Sequence, residues 1–169
     1  MKLELVTVPD RLLKEKSNKV EKIDDNLKKF IDDMFETMYE NNGVGLAAVQ
    51  VGKLLRIVTI DVEQDKKANK KKPLVFINPE IIWRSSEKEI MEEGCLSVPE
   101  QRERVLRNLE IEVKYNDINM NENKIKADGA LAHCLQHEID HTNGIVFIDY
   151  LSKLKRDIII KKVLKSKKH

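Results

Sequence analysis

The first pattern along the chain is a run of apolar residues spaced three and four positions apart, which is typical of one buried helix face. It starts after Asp24 and ends at Glu40. Its apolar positions are Leu27, Phe30, Ile31, Met34, Phe35 and Met38. Asp24 or Asp25 can cap the start, and Gly43 lies just beyond the end. We therefore predict an N-terminal helix over residues 24–40.

Two more helices are predicted in the last third of the chain. Asp128 can cap the first of them, and Gly144 can end it. Its apolar positions are Leu131, Leu135 and Ile139. Ser152 can cap a C-terminal helix, whose apolar side chains are expected to face inward while its lysines face water. The inward-facing positions are expected at Leu154, Ile158 and Leu164.

Strands are predicted where branched residues cluster or alternate with polar residues. Two clusters, residues 56–62 and 74–82, flank the lysine-rich stretch 68–72, which we interpret as a solvated loop rather than a site for an acidic partner. Every second residue from Leu109 to Tyr115 is apolar, as in a strand with one face in water. This irregular order of helices and strands predicts an α+β fold, with mostly antiparallel strands around the second helix.

The composition excludes several classes of function. The 31 basic and 29 acidic side chains nearly cancel, so we expect neither a membrane partner nor specific binding of nucleic acid. No apolar run approaches the roughly 18 residues of a membrane span, and the charged N-terminus does not resemble a signal peptide. Cys95 and Cys134 are too few for a disulfide framework, so both are expected to be thiols in a reducing cytoplasm. Residues 1–169 contain no internal repeat or linker and are expected to form a single domain.

The second helix carries the pattern His-Glu-Ile-Asp-His over residues 137–141. Residues four apart on a helix share one face, so the imidazoles of His137 and His141 can reach one divalent metal ion. Glu138 can then reach a metal-bound water and act as a general base, as in metallohydrolases. The alternative is an exposed pair of helical histidines that binds no metal.

A catalytic metal site of this kind needs a third protein ligand and one open position. The only histidine downstream of His141 is the terminal His169. Upstream, the segment 93–97 offers Cys95, which follows a glycine that lets the backbone approach closely. Cys95 is therefore the candidate ligand, although a lone cysteine can also be a small buried apolar residue.

A third segment, residues 43–50, contains alternating glycines followed by small residues and ends at Gln50. Glycines of this kind suit a backbone that runs close to a ligand, and Gln50 offers an amide donor. The segment can equally be a tight turn that leads into a buried strand. Its glycine spacing does not match a phosphate-binding loop.

Taken together and in this order, the three segments resemble the signature motifs of the peptide deformylases. Residues 95–102, residues 147–155 and the long C-terminal helix resemble the bacterial type of that family. The resemblance implies a metal-dependent amidase that removes the N-formyl group from the initiator methionine of nascent proteins and releases formate. N-formylmethionyl nascent peptides would be its substrates, and the whole chain would form one catalytic domain.

The resemblance also implies a metal site. Cys95, His137 and His141 would bind one divalent ion, and Glu138 would act as general base and then as general acid. Family members work best with ferrous iron and accept nickel, cobalt or zinc. Fe²⁺ is thus expected, although one thiolate and two imidazoles suit any of these ions.

Two donors would stabilise the oxyanion that forms when metal-bound hydroxide attacks the formyl carbon: the Gln50 amide and the backbone N–H of Leu96. By the same resemblance, several residues surround the bound methionine. They are Val44, Gly45, Met91, Glu93, Cys134 and His137. Gly45 and Leu46 would also supply backbone contacts to the peptide.

His133 departs from the family pattern, in which an apolar residue is usual at this position. It lies one helical turn before His137, too far for all three histidines to meet one ion, so we predict that it lines the methionine pocket or its rim. Cys134 is interpreted as pocket or core, with a redox role as the alternative. Arg102 and Asp140 are interpreted as structural support, although Asp140 is also a candidate partner of a ligand histidine.

Two alternatives to a deformylase remain open at this point. A zinc endopeptidase can use the same histidine pair, but the cysteine motif would then be unexplained. A purely structural metal site would normally need a fourth protein ligand, and none is evident in the sequence. A further hypothesis, which has only the basic C-terminal helix to support it, is that this helix contacts the ribosome.

Overall fold

The computed structural model describes residues 1–167, and Lys168 and His169 lie outside the described residues. Three helices are present in this range: α1 (Asp25–Glu40), α2 (Gly129–Thr142) and α3 (Lys153–Ser166). Single turns of 3-10 helix occupy Arg11–Lys14, Ala48–Val51 and Phe147–Tyr150. No helix within residues 1–167 is both long and apolar enough to cross a membrane.

Within residues 1–167, seven strands form two separate antiparallel sheets. The strands are β1 (Gly45–Ala47), β2 (Ile57–Ile60), β3 (Leu74–Arg84), β4 (Lys88–Cys95), β5 (Val98–Asn108), β6 (Glu110–Asn116) and β7 (Glu122–Asp128). The larger sheet has the order β1-β2-β3-β6-β7, which leaves β1 and β7 at its edges. Strands β4 and β5 pair only with each other, as a long hairpin. The predicted α+β fold with antiparallel strands is confirmed.

Helix α1 matches its prediction closely. Asp24 is the N-cap, and its carboxylate accepts a hydrogen bond from the backbone N–H of Leu27 at 2.8 Å. The predicted apolar stripe is buried at Phe30, Ile31, Met34 and Met38. This face packs on β1 and β2 and forms a core with Leu46 and Ile57.

Helix α2 lies against the larger sheet, and nine of its 14 residues are buried. Leu135 and Ile139 pack with Val58 and Phe76 of the sheet. The helix ends before Gly144, which has a φ of 77° and lies against the backbone carbonyl of Lys14. A side chain is therefore excluded at Gly144, and the end of the helix is sharply defined.

Helix α3 presents a different face to the core from the predicted one. Leu154 and Ile158 are exposed, at 72% and 44%, and Leu164 is 41% exposed. Ile159 and Val163 are buried instead, in a cluster with Val105 and Phe147. The prediction was wrong because residues 158–160 are all isoleucine, so spacing alone does not select one face.

Candidate active site

Two elements bring the three predicted metal ligands together. Helix α2 carries His137 and His141 on one face, and the end of β4 carries Cys95. Sγ of Cys95 lies 3.4 Å from Nε2 of His141, which lies 3.3 Å from Nε2 of His137. Within the described residues, these three form a group whose ligand atoms all lie within 4.8 Å of one another.

The spacing of these atoms fits a single metal ion. A tetrahedral ion with bonds of about 2.0–2.1 Å to nitrogen and about 2.3 Å to sulfur separates its ligand atoms by roughly 3.3–3.6 Å. The observed separations of 3.3 Å and 3.4 Å agree with this geometry. One thiol and two imidazoles also form a donor set that iron, nickel, cobalt and zinc accept. The residues therefore fit a mononuclear metal centre.

Cys95 is placed by the turn between β4 and β5. Leu96 and Ser97 form this turn, so Cys95 pairs directly with Val98, and the register shifts between Gly94 and Cys95. A Cβ atom at Gly94 would lie only 2.8 Å from the end of the Arg102 side chain. The motif residues therefore turn the chain sharply and point the thiol towards α2.

Gln50 lies beside the thiol and is held in a fixed orientation. Its Nε2 donates to Oγ of Ser97 at 3.1 Å and lies 3.4 Å from Sγ of Cys95. Its Oε1 accepts a hydrogen bond from the backbone N–H of Ala47 at 2.9 Å. Because the amide is buried and anchored at both ends, it is a pre-oriented donor in the site. Ser97 was not anticipated from the sequence.

Glu138 lies next to His137 and His141, the candidate ligand histidines, and is only 2% exposed. Its Oε1 lies 3.7 Å from Nε2 of His137 and 3.9 Å from Nε2 of His141. Its Oε2 is buried and finds no hydrogen-bond partner among the described residues. Burial raises the pKa of Glu138 to about 7. A carboxyl group in this range suits proton transfer near neutral pH.

A buried network of charged side chains holds the ring of His137 in place. Nδ1 of His137 lies 2.6 Å from Oε1 of Glu93, whose carboxylate also receives two hydrogen bonds from Arg107, at 2.7 Å and 2.9 Å. Arg107 also donates to Asp140 at 2.6 Å, and Tyr150 donates its hydroxyl to the same carboxylate at 2.7 Å. Asp140 thus reaches the ligand histidine only through Arg107 and Glu93.

The charge state of Glu93 follows from these contacts. Burial alone would raise the pKa of Glu93, but the hydrogen bonds from Arg107 and the close contacts with His133 and His137 outweigh it and hold this pKa well below its usual range. Arg107 was missed by the sequence analysis, which selected Arg102 instead. Arg102 lies on the surface and pairs with Glu92 at 3.0 Å.

A cleft of about 770 Å³ opens over these groups. Most of the predicted substrate-binding residues line it, together with the turn residue Leu96. The predicted residues that line the cleft are Val44, Gly45, Met91, Glu93, His133, Cys134 and His137. Leu46 lies outside the cleft lining: its side chain is fully buried in the core around α1, and its backbone pairs with Thr59 of β2.

Gly45 brings the backbone of β1 close to Glu138 and Cys134. A Cβ atom at this position would lie 2.7 Å from Sγ of Cys134 and 2.9 Å from Cγ of Glu138. The missing side chain therefore lets β1 run directly past both residues. Sγ of Cys134 also lies 3.8 Å from the carbonyl oxygen of Val44, and burial raises the pKa of this thiol. Such a thiol stays protonated, which argues against a redox role.

An α+β fold that holds a Cys-His-His group beside a buried glutamate has the features of a mononuclear metallohydrolase. A family model described as polypeptide deformylase matches residues 2–157 of the chain. The chain belongs to the polypeptide deformylase family, and it is a hydrolase.

Relatives of known name support this assignment. The peptide deformylase of Bartonella tribocorum is 49% identical over 164 residues, which cover 97% of this chain and 92% of that protein. The peptide deformylase of Zymomonas mobilis is 50% identical over 168 residues, which cover 98% and 95%. Both alignments run through all three motif segments, so the resemblance extends well beyond the site.

Solved structures show the same similarity in three dimensions. The crystal structure of the peptide deformylase from Ehrlichia chaffeensis matches with a TM-score of 0.93 and 49% identity, and covers 99% of this chain and 98% of that chain. That of a peptide deformylase from Legionella pneumophila matches with a TM-score of 0.92 and 42% identity, and covers 99% and 96%. The two-sheet architecture is therefore that of this family.

Proposed function

We propose that this enzyme removes the N-formyl group from the initiator methionine of nascent proteins and releases formate. The observation that carries the proposal is the position of Glu138, whose unpartnered carboxylate oxygen lies beside three residues that fit one metal ion. The cytoplasm, where new chains are synthesised, is the proposed location. The match over residues 2–157 supports one catalytic domain.

Cys95, His137 and His141 would hold one divalent cation, with Fe²⁺ as the expected ion. When bound, the cation would act as a Lewis acid that lowers the pKa of water and polarises the formyl oxygen. The thiolate and imidazole donors also accept nickel, cobalt and zinc, so any of these ions is expected to support some activity.

The remaining steps use side chains of the chain itself. Glu138 takes a proton from the attacking water and then passes it to the leaving amine, so that formate and a free N-terminus are released. Gln50 donates its anchored amide to the oxyanion that develops on the formyl group. The backbone N–H of Leu96 is the second donor. Removal of one such donor typically raises the barrier by about 3 kcal/mol.

The edge strand β1 offers a place for an extended peptide. The carbonyl of Val44 accepts a hydrogen bond from the N–H of Asp61. Hydrogen-bonded and non-hydrogen-bonded residue pairs alternate along two antiparallel strands, so Gly45 and Ile60 form a non-hydrogen-bonded pair. The N–H and C=O of Gly45 therefore point to the open edge of the sheet, where a substrate strand can pair with them. The backbone groups of Leu46 point towards β2 instead, which leaves Gly45 as the peptide contact.

The methionine side chain is expected to enter the cleft beside Met91, His133 and Cys134. His133 makes this pocket more polar than an aliphatic residue would. We expect His133→Ile to lower KM for formyl-methionyl peptides, because methionine gains an apolar contact. An unchanged KM would remove His133 from the pocket.

The decisive assay is formate release from formyl-Met-Ala-Ser by protein purified anaerobically with Fe²⁺. Glu138→Gln preserves the size of the side chain but removes the base, so activity is expected to fall by roughly a hundredfold or more. Cleavage of internal peptide bonds, measured in parallel, tests the endopeptidase alternative. Folded, iron-loaded wild type that releases no formate would favour a purely structural metal site.

We also propose that α3 contacts the ribosome. The helix has six basic residues and a single acidic one, Asp157, and it exposes Leu154 and Ile158. This combination of positive charge and exposed apolar side chains suits contact with a surface made of nucleic acid and protein. Truncation after Leu154 would remove Ile159 and Val163 from the core and is therefore a poor test.

Point variants test the ribosome contact without loss of the helix. The double variant Leu154→Ser/Ile158→Ser is expected to reduce co-sedimentation with ribosomes, and Lys161→Glu/Lys162→Glu should reduce it further at low salt. Ile82→Ser, an exposed apolar residue of β3, is the matched control. Equal co-sedimentation of all variants would contradict the proposed contact of α3 with the ribosome.

A further inference from the structure

We propose that His133 is a positioning residue, which holds Glu93 so that Glu93 in turn orients the ligand His137. This inference deepens the proposed function and rests on it. It assigns to a residue of the cleft wall a second task, namely retention of the metal ion. The side chain of Glu93 is only 3% exposed.

Two histidines of one helix face contact the two oxygens of this carboxylate. Nδ1 of His137 lies 2.6 Å from Oε1, and Nε2 of His133 lies 2.6 Å from Oε2. Because residues four apart on a helix lie one above the other, the two rings hold the carboxylate from successive turns of α2. A residue without a ring nitrogen at position 133 loses the second of these contacts.

Arg107 completes the arrangement from the opposite side. Its Nη2 donates to Oε1 of Glu93 at 2.9 Å, and its Nε donates to Oε2 at 2.7 Å. Each oxygen therefore has one contact from Arg107 and one from a histidine. The Glu93 carboxylate thus makes three hydrogen-bond contacts, with Arg107 and His137, and one further close contact with His133.

The contact of His133 with Glu93 is close, but it is not an aligned hydrogen bond in this structure. Nε2 is buried and has no well-directed hydrogen-bond partner among the described residues, and Glu93 is the acidic group within its reach. A polar atom in this position is costly unless it interacts with the carboxylate. His133 therefore keeps Glu93 in place even though it lies too far along the helix to act as a metal ligand.

The consequence concerns the tautomer and direction of His137. An imidazole that donates its Nδ1–H to a carboxylate presents Nε2 as the free ligand atom. In this structure Nε2 of His137 is the atom that lies 3.3 Å from Nε2 of His141. When Oε2 loses His133, only Arg107 holds that side of the carboxylate, so Glu93 can rotate and the ligand ring is less well fixed.

The test measures how long the protein retains Co²⁺, followed by the thiolate-to-cobalt absorbance after excess EDTA is added. His133→Ile is expected to lose Co²⁺ about tenfold faster than wild type, as for other groups that orient ligand histidines. His133→Gln, whose amide nitrogen replaces Nε2, should restore retention to within a few-fold. Ile82→Ser, at an exposed position of β3 outside the cleft, should leave retention unchanged.

Measurement of KM and kcat for the same variants separates the role of His133 in the methionine pocket from its role in retention of the metal ion. A change in KM alone, with wild-type retention of Co²⁺ in His133→Ile, would overturn the proposal. Should the isoleucine variant fail to fold, His133→Asn, which is too short to reach Oε2, gives the same comparison. Retention is measured without turnover, so failure of the proposed function would appear as missing formate release by wild type that holds Co²⁺ firmly.

Discussion

The side-chain amide of Gln50 donates a hydrogen bond to the hydroxyl of Ser97 over 3.1 Å. This bond joins the 3-10 turn after β1 to the turn that follows Cys95. It also directs the amide towards the cleft. Ser97→Ala is expected to lower kcat about five- to tenfold with little change in KM, because one hydrogen bond of about 1 kcal/mol no longer orients the donor.

The variant to compare with Ser97→Ala is Gln50→Leu, which removes the amide donor itself. It is expected to lower kcat 100-fold or more. Steady-state rates of formate release measure both variants. Equal losses would mean that Ser97 does more than orient Gln50, and an undiminished kcat in Ser97→Ala would show the anchor to be dispensable.

Gly45→Ala is expected to lower kcat by roughly 100-fold, because displacement of a catalytic group by about 1 Å has an effect of this size. The new methyl group would lie 2.9 Å from Cγ of Glu138 and 2.7 Å from Sγ of Cys134. In Gly45→Ala/Cys134→Ala the thiol is gone, so partial recovery of kcat is expected. A single variant with wild-type kcat would contradict the steric argument.

Removal of the cation is expected to loosen one end of the β4–β5 hairpin. Cys95 would be joined to α2 through the ion, whereas Asn108 at the other end exchanges two hydrogen bonds with Gln136, at 2.9 Å and 3.0 Å. Chelation should therefore lower Tm and speed amide hydrogen exchange near residues 93–98.

The same exchange experiment contains its own control. Residues 105–108 are expected to stay protected after chelation, because they pair with β4 and the bonds of Arg107 and Asn108 to α2 involve no ion. Cys95→Ser should show the faster exchange near residues 93–98 even with metal present. Uniform loss of protection along the hairpin would contradict this picture.

Tyr150 is expected to affect stability at alkaline pH. Burial and its hydrogen bond to Asp140 raise the pKa of Tyr150 to about 12 from an ordinary value of 10.0. The folded state thus favours the neutral phenol. Its contribution is fully present below pH 10 and is lost as the pH rises towards 12.

Tyr150→Phe is therefore expected to be less stable than wild type at neutral pH and to lose less stability between pH 10 and 12. Chemical denaturation at a series of pH values measures this difference. An identical pH dependence in the two proteins would show that the Asp140 contact does not favour the neutral phenol.

Elements with one strongly apolar face were predicted well. In α1 the apolar residues recur on one side only, and Asp24 caps the helix as expected. In α3, three successive isoleucines leave two faces equally apolar, and only packing against Phe147 and Val105 decides between them. Local pattern identifies a helix, but the face it buries depends on its neighbours.

The hairpin and the buried arginine were harder to anticipate. Ile90 and Leu106 are exposed on opposite strands of the hairpin, so β4 and β5 lack the alternation that marks a half-buried strand. Arg107 belongs to no motif, and only its partners show that it is buried. The one available signal was Glu93, an acidic residue beside the ligand motif that requires a counter-charge when buried.

The ligand residues differ greatly in their distance along the chain. His137 and His141 are four residues apart on one helix, whereas Cys95 and His141 are separated by 46 residues. Local contacts form quickly, while contacts between distant segments form later because a longer loop must close. During folding, the histidine pair is therefore a weak, early binding site. Since tight binding needs all three ligands, we expect the metal ion to be captured only after the hairpin has docked against α2.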